Sequence, residues 1–234
     1  MKTAKINVNY INHSGGDLTV VNAARVSFNK QSEYESVTSK QIVTDWEGRL
    51  VETQLLEFKL SEKDAKLIRY LAKHNHKSPF NHCFISFRVK APIFVARQLV
   101  KHEYLPWNEV SRRYVTDEPE FYIPEQWRKA AENVKQGSSD ETVSYDAVPF
   151  VEVALTWYNA MLSKGVCPEQ ARMVLPQNTM TEWIWSGTLY AFAKMCKLRL
   201  DSHTQKETRE VAELVEKELL KCFPVSYAAL KEFM

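Results

Sequence analysis

The chain has 234 residues, of which 44% are hydrophobic and 26% charged, and this composition excludes a disordered or low-complexity protein. Its 31 lysines and arginines nearly balance 29 aspartates and glutamates, so we expect no nucleic-acid partner. No apolar run approaches the roughly 20 residues of a membrane helix, so we expect no membrane partner. No apolar segment follows the first basic residues, so we expect no secretory signal. The 4 cysteines form no Cys-x-x-Cys pair, and we therefore expect a reduced, cytoplasmic protein without disulfides or structural zinc.

The first predicted elements are an edge strand and a short helix. Mixed apolar and polar residues over 5–11 predict the strand. Asp17 has the residue type of an N-cap, and the helix that follows it is expected to end near Ser27. The polar stretch 30–60 predicts an insertion, after which Ser61 begins a second helix.

The clearest strand in the sequence follows that second helix. Residues 83–90 alternate with period two, which places Cys83, Ile85, Phe87 and Val89 on one side. Pro92 then has the character of the first residue of a helix, and this helix is expected to reach residue 102.

The second half of the chain is predicted to be mainly helical after a polar excursion over 115–144. Helices are expected over 149–162, from Pro168 to Pro176, over 181–198, and, after a capping-box pattern at 202–205, through Lys221. Early strands and late helices predict one α+β domain over residues 1–234.

Three histidines lie within nine positions, which raises the question of a metal site. They are His74, His76 and His82, and His102 follows. A proline and a predicted strand separate these four residues, and neither a carboxylate nor a thiolate completes the set, so we expect no metal.

A second polar cluster lies between residues 96 and 114. Glu109 and Arg113 fall on one side of the chain whether it is helical or extended, and Ser111 joins them only in an extended chain. A carboxylate, a hydroxyl and a guanidinium can together hold a uracil-like edge and a phosphate. The alternative is an exposed ion pair of little energetic value.

The residues around this cluster carry a family resemblance. The sequence Asn108-Glu109-x-Ser111-x-Arg113-Tyr114, preceded by Arg97-Gln98 and by Ser78-Pro79-Phe80-x-His82, resembles the flavin-dependent thymidylate synthases (the ThyX family). Their signature is Arg-His-Arg-x-x-Ser-x-Asn-Glu-x-Ser-x-Arg-Tyr. Further matches at 23–27, 171–176 and 198–203 occur in the family's order, so the resemblance covers nearly the whole chain.

The resemblance implies a fold, a reaction and an assembly. It implies a mixed α+β domain with a central sheet rich in antiparallel strands, flanking helices and a helical C-terminal half. It implies a homotetramer with sites between subunits that bind FAD, dUMP, methylene-tetrahydrofolate and NADPH. The folate's one-carbon unit would be transferred to uracil C5, and a hydride from reduced flavin would then give dTMP.

The resemblance also implies roles for particular residues. The dUMP-binding set is Gln98, Lys101, Glu109, Val110, Ser111, Arg112, Arg113, Arg172 and Arg199. Arg199 corresponds to the family's catalytic arginine, which promotes ionisation of uracil N3 because a guanidinium stabilises negative charge on the ring. The alternative is that Arg199 only satisfies carbonyls at the end of its helix.

The residues expected to face the flavin depart from the family pattern at several positions. They are Ser27, Ser78, Asn81, Lys101, His102, Glu103, Asn108, Glu109, Thr188, Tyr190, Lys194 and His203. Lys101-His102-Glu103 replaces the Arg-His-Arg triplet, and Glu103 places a negative charge where a phosphate-bearing cofactor is expected. Pro106 replaces the signature's serine, and Lys194 or Lys197 could restore the lost positive charge.

Three alternatives remain open beside an active thymidylate synthase. A relative that adds the one-carbon unit but lacks hydride delivery would act as a pyrimidine-nucleotide hydroxymethylase. A homologue repelled from FAD by Glu103 would bind nucleotides without catalysis. Cys167, at a predicted helix start, is a third candidate as a nucleophile, but its sequence setting differs from that of the cysteine in flavin-independent thymidylate synthases.

Overall fold

The computed structural model describes residues 1–132 and 138–234. The described strands are β1 (Lys2–Thr3), β2 (Asn7–Ser14), β3 (Glu35–Thr44), β4 (Leu50–Lys59), β5 (Phe84–Pro92), β6 (Trp107–Glu109), β7 (Glu120–Phe121), β8 (Trp127–Ala130), β9 (Ser138–Val143) and β10 (Met180–Thr188). The described helices are α1 (Asp17–Arg25), α2 (Glu62–Lys73), α3 (Ile93–Leu99), α4 (Val148–Ser163), α5 (Pro168–Ala171), α6 (Leu189–Arg199), α7 (Lys206–Cys222) and α8 (Pro224–Phe233).

A four-stranded antiparallel sheet in the order β2-β5-β10-β6 forms the centre of the fold. In β5, Ile85, Phe87 and Val89 are fully buried, as their period-two spacing predicts. The predicted edge strand is also confirmed, because β2 pairs with β5 at one margin of the sheet. The predicted fold class, an α+β domain with an antiparallel sheet and a helical C-terminal half, is therefore confirmed.

The predicted helix over 181–198 is wrong, because its first half is a strand. β10 runs antiparallel to β5 along its whole length, and Trp183 and Trp185 are buried on one face. α6 begins only at Leu189, where the Thr188 hydroxyl accepts a hydrogen bond from the amide of Ala191 at 3.2 Å. The apolar residues of 181–198 therefore belong to two elements with different periods.

Two predicted helix boundaries are corrected. Gly16, and not Asp17, is the N-cap of α1, while the Asp17 carboxylate accepts hydrogen bonds from the amides of Val225 and Ser226 at the start of α8. Pro92 is the N-cap of α3 rather than its first helical residue.

The predicted last helix corresponds to α7, and a further helix follows it. α7 ends at Cys222, and α8 follows immediately from Pro224, which the sequence pattern did not predict. The predicted capping box at 202–205 is wrong, because the N-cap of α7 is Gln205 and not Ser202, and the Gln205 side chain makes no capping hydrogen bond.

The predicted insertion over 30–60 and the predicted excursion over 115–144 both contain strands. Residues 30–60 contain the β3–β4 hairpin, and most of its side chains are exposed. Residues 115–144 contain β7, which pairs with β1, and the strands β8 and β9, which pair antiparallel with each other. Residues 133–137, which belong to the second predicted excursion, lie outside the described residues.

The main hydrophobic core lies between the sheet and the helices α1, α2, α6, α7 and α8. A smaller cluster joins Phe121 to Val151, Leu155 and Tyr158 of α4. None of the helices in the described ranges has the length and apolarity that a membrane crossing requires. A single domain over 1–234 stays a prediction.

Candidate active site

Arg199, the last residue of α6, joins two helix ends. Its Nε donates a hydrogen bond to Nε2 of His102 at 3.0 Å, and its Nη2 donates to the backbone carbonyl of Gln98 at 2.8 Å. The alternative role for Arg199 was to satisfy carbonyls at the end of its own helix. The second contact does satisfy a helix-end carbonyl, but that carbonyl belongs to α3 and not to α6. The guanidinium is thus held in one orientation by two independent acceptors.

His102 is neutral in this arrangement. Burial of the ring, followed by the positive charges of Arg199 and Lys194, lowers the pKa of His102 from 6.5 to about 4. Arg199 can only donate, so the Nε2 that it contacts must be the unprotonated nitrogen. Desolvation also lowers the pKa of Arg199 below its ordinary value of 12.5. Because His102 is neutral, the charged guanidinium of Arg199 has no second cation directly beside it.

Arg199 lies on a cavity of about 1080 Å³ with a cationic lining. The lysines and arginines on its wall are Lys73, Lys77, Lys194, Lys197 and Arg199, and the acidic residue is Asp201. The structure thus places Lys194 and Lys197, the two candidates for replacing lost positive charge, on the same cavity. Such a lining favours a phosphate-bearing ligand.

Several predicted flavin-facing residues gather at this cavity. Tyr190, Lys194 and His203 line it, and the Tyr190 hydroxyl donates to Asn75 at 3.4 Å. The Thr188 hydroxyl donates to Asn81 at 2.8 Å. Asn81 lies in a 3₁₀ turn that begins at Ser78. This turn and α6 with its N-cap therefore carry five members of the set: Ser78, Asn81, Thr188, Tyr190 and Lys194.

Other predicted site residues surround a second, smaller cavity of about 200 Å³. Glu109, Val110, Arg112 and Arg172 line it. The Glu109 carboxylate accepts hydrogen bonds from the Thr181 hydroxyl at 2.6 Å and from the Trp107 indole at 3.0 Å. This carboxylate is therefore held by the strands β6 and β10.

Glu109 and Arg113 make different contacts, although the spacing placed them on one side. Arg113 lies 3.6 Å from Glu169, beyond the end of β6, and its amide donates to the Ser111 hydroxyl at 3.3 Å. Both Arg113 and Arg172 are exposed. The two guanidiniums therefore remain open to a ligand or to another protein surface.

One chain does not bring the whole predicted nucleotide-binding set together. Gln98 and Arg199 lie on the larger cavity and Glu109 and Arg172 on the smaller one, and the two cavities share no lining residue. The remaining predicted residues line neither cavity: Ser27, Ser78, Asn81, Lys101, Glu103, Asn108 and Arg113, all exposed, Ser111 and Thr188, both half-buried, and His102, which contacts Arg199. Glu103, whose negative charge replaces an arginine of the family signature, is thus not part of the cationic wall.

Sequence reasoning missed Gln205 at this site. Its side-chain Oε1 accepts a hydrogen bond from Nε2 of Gln98 at 2.6 Å, and it lines the larger cavity. The residue was counted as part of a capping pattern, and its partner lies 107 residues away. Its position shortly after His203, in a matched segment, was the available signal.

Comparison with known proteins supplies the family context. The family model described as "Thymidylate synthase complementing protein" matches residues 9–225. The chain is 35% identical over 231 residues to a flavin-dependent thymidylate synthase of Thermus thermophilus, covering 97% of this chain and 76% of the relative. It is 34% identical to the Thermotoga neapolitana enzyme of the same name, covering 97% and 91%.

A solved structure is similar over the full length. It is the UMP/dUMP methylase PolB from Streptomyces cacaoi bound with 5-Br dUMP, with a TM-score of 0.79 and 29% identity. The superposition covers 100% of this chain and 98% of PolB.

Proposed function

Because this chain belongs to the flavin-dependent thymidylate synthases, we propose that it converts dUMP to dTMP with methylene-tetrahydrofolate as the one-carbon donor. The observation that carries this proposal is Arg199, fixed by His102 and Gln98 at the wall of a cationic cavity. The structural similarity to a methylase bound with a dUMP analogue supports the choice of substrate.

The larger cavity fits FAD in size and in charge. A volume of about 1080 Å³ is at the upper end of ordinary ligand sites, and the lysines on its wall suit a pyrophosphate. The residues that would hold FAD are Ser78, Asn81, Thr188, Tyr190, Lys194 and His203. When bound and reduced, this flavin supplies the hydride that completes the methyl group, and we propose NADPH as the source of its electrons.

Arg199 is the proposed catalytic residue. Its guanidinium cannot turn away, because two acceptors hold it, and neutral His102 leaves its positive charge uncompensated. A fixed cation beside the uracil ring stabilises negative charge on that ring, which makes C5 more nucleophilic. Gln98, near the end of α3, would bind the same nucleotide.

The remaining nucleotide-binding residues are proposed to come from a second copy of the chain. Glu109, Ser111, Arg113 and Arg172 are separated from Arg199 in one protomer, whereas a phosphate needs guanidinium groups within hydrogen-bond reach. A homotetramer with sites between subunits would join the two groups. Val110 and Arg112 would then lie at the nucleotide. The second copy of the chain would also present four further residues to the bound ligands: Ser27, Lys101, Glu103 and Asn108.

A product assay tests the reaction. We expect the purified protein with dUMP, methylene-tetrahydrofolate and NADPH to yield dTMP by mass spectrometry. A hydroxymethylated product would favour the hydroxymethylase alternative, and a colourless protein that binds dUMP without turnover would favour the non-catalytic homologue. UMP assayed in parallel tests whether this chain shares the wider substrate range in PolB's name.

The proposed location is the cytoplasm. Cys83 and Cys196 are buried free thiols, and burial raises the pKa of each to about 12. Reduced cysteines of this kind are typical of a reducing compartment. Labelling of the protein in intact and lysed cells would test this location.

A further inference from the structure

The β3–β4 hairpin, residues 35–59, forms a two-stranded arm. β3 and β4 pair with each other along their whole length and with no other described strand. Within the described residues, no side chain of either strand belongs to the two hydrophobic clusters. A lone two-stranded hairpin is only marginally stable in water and needs an apolar face packed against something else. The described part of its own chain does not provide this cover.

The two faces of the arm differ in exposure. Directly opposed residues of an antiparallel pair point to the same face, so the pairing of β3 with β4 divides their side chains into two sets. Every half-buried residue of the two strands lies on one face, called the inner face here. The opposite, outer face is exposed at all its positions, and Leu50 on it is 75% exposed. The outer face consists of Ser36, Thr38, Lys40, Ile42, Thr44, Leu50, Glu52, Gln54, Leu56 and Phe58.

The root of the arm is fixed by one buried carboxylate. The segments that enter and leave the arm both bind Asp64 of α2, because the hydroxyls of Ser32 and Ser61 donate to it at 3.1 and 2.9 Å. Arg25 of α1 adds an ion pair, and the Asp64 side chain is only 4% exposed. Because both legs of the arm are tied to one point, its outer face is presented in a defined orientation, which lowers the entropic cost of binding.

The outer face is self-complementary along its length. Lys40 and Glu52 lie at its middle and form an exposed ion pair. Leu56 and Phe58 lie on the root side of this pair, and Leu50 lies on the tip side. When the face is turned end for end about its middle, leucine falls on leucine and lysine falls beside glutamate. A surface with this pattern fits a second copy of itself across a two-fold axis.

We propose that the outer faces of two copies of this chain pack against each other, antiparallel and about a two-fold axis. Leu56 then meets the partner's Leu50, and Lys40 lies beside the partner's Glu52. The arm is about 33 Å long and about 10 Å wide, so its footprint of roughly 300 Å² is well below the ~800 Å² per partner of a standard interface. The arms therefore strengthen an assembly that other surfaces also hold.

Disulfide cross-linking of the double variant Leu50→Cys/Leu56→Cys tests this contact. The two positions lie about 20 Å apart along β4, too far for a disulfide within one arm. In the proposed contact each faces the other position on the partner, so we expect oxidation of the dilute protein to give a covalent dimer on a non-reducing gel. The matched control, Val51→Cys/Leu55→Cys on the inner face, should stay uncross-linked, as should the wild type and each single outer-face variant.

Charge reversal separates a contact between copies from the ion pair within one arm. Added to the double-cysteine chain, Lys40→Glu and Glu52→Lys each place like charges both within the arm and between copies, so each should slow dimer formation several-fold. An equal mixture of the two charge variants restores opposite charges only between copies. We expect this mixture to cross-link nearly as fast as the parent double-cysteine chain.

Three results would overturn the proposal. They are absence of a covalent dimer with the outer-face cysteines, equal cross-linking through the inner face, and a mixture that cross-links as slowly as its components. Protein that stays uncross-linked but sediments with vesicles of phosphatidylcholine and phosphatidylserine would identify a lipid surface as the occupant instead. None of these outcomes depends on dUMP turnover, because the arm lines neither cavity.

Discussion

The guanidinium of Arg199 donates a hydrogen bond to Nε2 of His102 across 3.0 Å, although 97 residues separate the two along the chain. An arginine has no acceptor, so the contact requires a neutral imidazole with its proton on Nδ1. Protonation of His102 would replace this hydrogen bond with two adjacent cations. The contact therefore links the orientation of the proposed catalytic residue to pH.

The first prediction concerns acid stability. The pKa of His102 is about 4 in the folded protein and 6.5 for an unperturbed histidine, so between these values the unfolded chain binds more protons. The contribution of His102 to the free energy of unfolding is full above about pH 6.5 and is lost as pH falls toward 4. We expect a loss of roughly 1–2 kcal/mol, discounted because the ring is still partly exposed.

Urea unfolding at several pH values measures this contribution. His102→Gln keeps an acceptor for Arg199 but does not titrate, so its stability should fall less than that of the wild type over the same window. His74→Gln, at an exposed position, is the control. Parallel profiles for wild type and His102→Gln would contradict the prediction.

The second prediction concerns the shape of the Arg199 side chain. Arg199→Lys keeps the charge, but an ammonium lacks the planar fork that reaches His102 and the Gln98 carbonyl together. We expect kcat/KM for dUMP to fall about 100-fold, comparable to loss of an oriented donor, while the flavin stays bound. Arg69→Lys, in an exposed ion pair with Glu232, should retain full activity. Near-normal turnover by Arg199→Lys would show that charge alone suffices.

The third prediction concerns Asp17, which joins the two ends of the chain. Its buried carboxylate accepts hydrogen bonds from the amides of Val225 and Ser226 at 3.0 and 2.8 Å. Asp17→Ala leaves these amides without partners, and we expect a loss of about 1–2 kcal/mol in the free energy of unfolding. Asp117→Ala, at an exposed position, should change it little. Equal stability of the two variants would show that the cap contributes nothing.

Asp17 also shows why part of the fold could not be predicted. It was predicted to cap the helix that follows it, which is wrong, because its carboxylate instead accepts hydrogen bonds from amides at the start of α8, with Ser226 at a separation of 209 residues. The strand β5 was predictable because its buried residues repeat every second position, which is a local property. β10 was mistaken for a helix because its aromatic residues run directly into the apolar residues of α6.

The same division applies to the candidate site. The family motifs indicated Arg199 and Gln98, and these residues do meet. Their connection to Gln205 could not be predicted, since no local pattern encodes a contact over 107 residues. Repulsion of FAD by Glu103 was predicted from the charge of this residue alone, but Glu103 does not line the cationic wall.

The fourth prediction concerns the division of the site between copies. Arg199→Ala and Arg172→Ala should each abolish turnover, because each removes a guanidinium from the proposed nucleotide site. If one copy supplies Arg199 and another supplies Arg172, mixing the two inactive variants after mild dissociation should restore part of the activity. Each variant mixed with itself is the control. Mixtures that stay inactive, although sedimentation shows that they have exchanged subunits, would place both arginines in one protomer's site.

The last prediction concerns the cationic wall of the larger cavity. Lys194 and Lys197, both in α6, line this wall together with Arg199, and we expect them to supply the positive charge that the altered Lys101-His102-Glu103 segment lacks. Lys194→Gln and Lys197→Gln should each weaken FAD binding several-fold, with a smaller dependence on salt than in the wild type, because each removes one charge from the site.

Flavin absorbance after dialysis against increasing FAD measures this effect. Lys217→Gln, on the exposed face of α7, changes the same charge away from the cavity and should leave FAD binding unaltered. If all three variants behave alike, the wall does not hold the cofactor's phosphates. In that case Lys194 and Lys197 of α6 would not replace the positive charge that is lost where Lys-His-Glu stands instead of Arg-His-Arg.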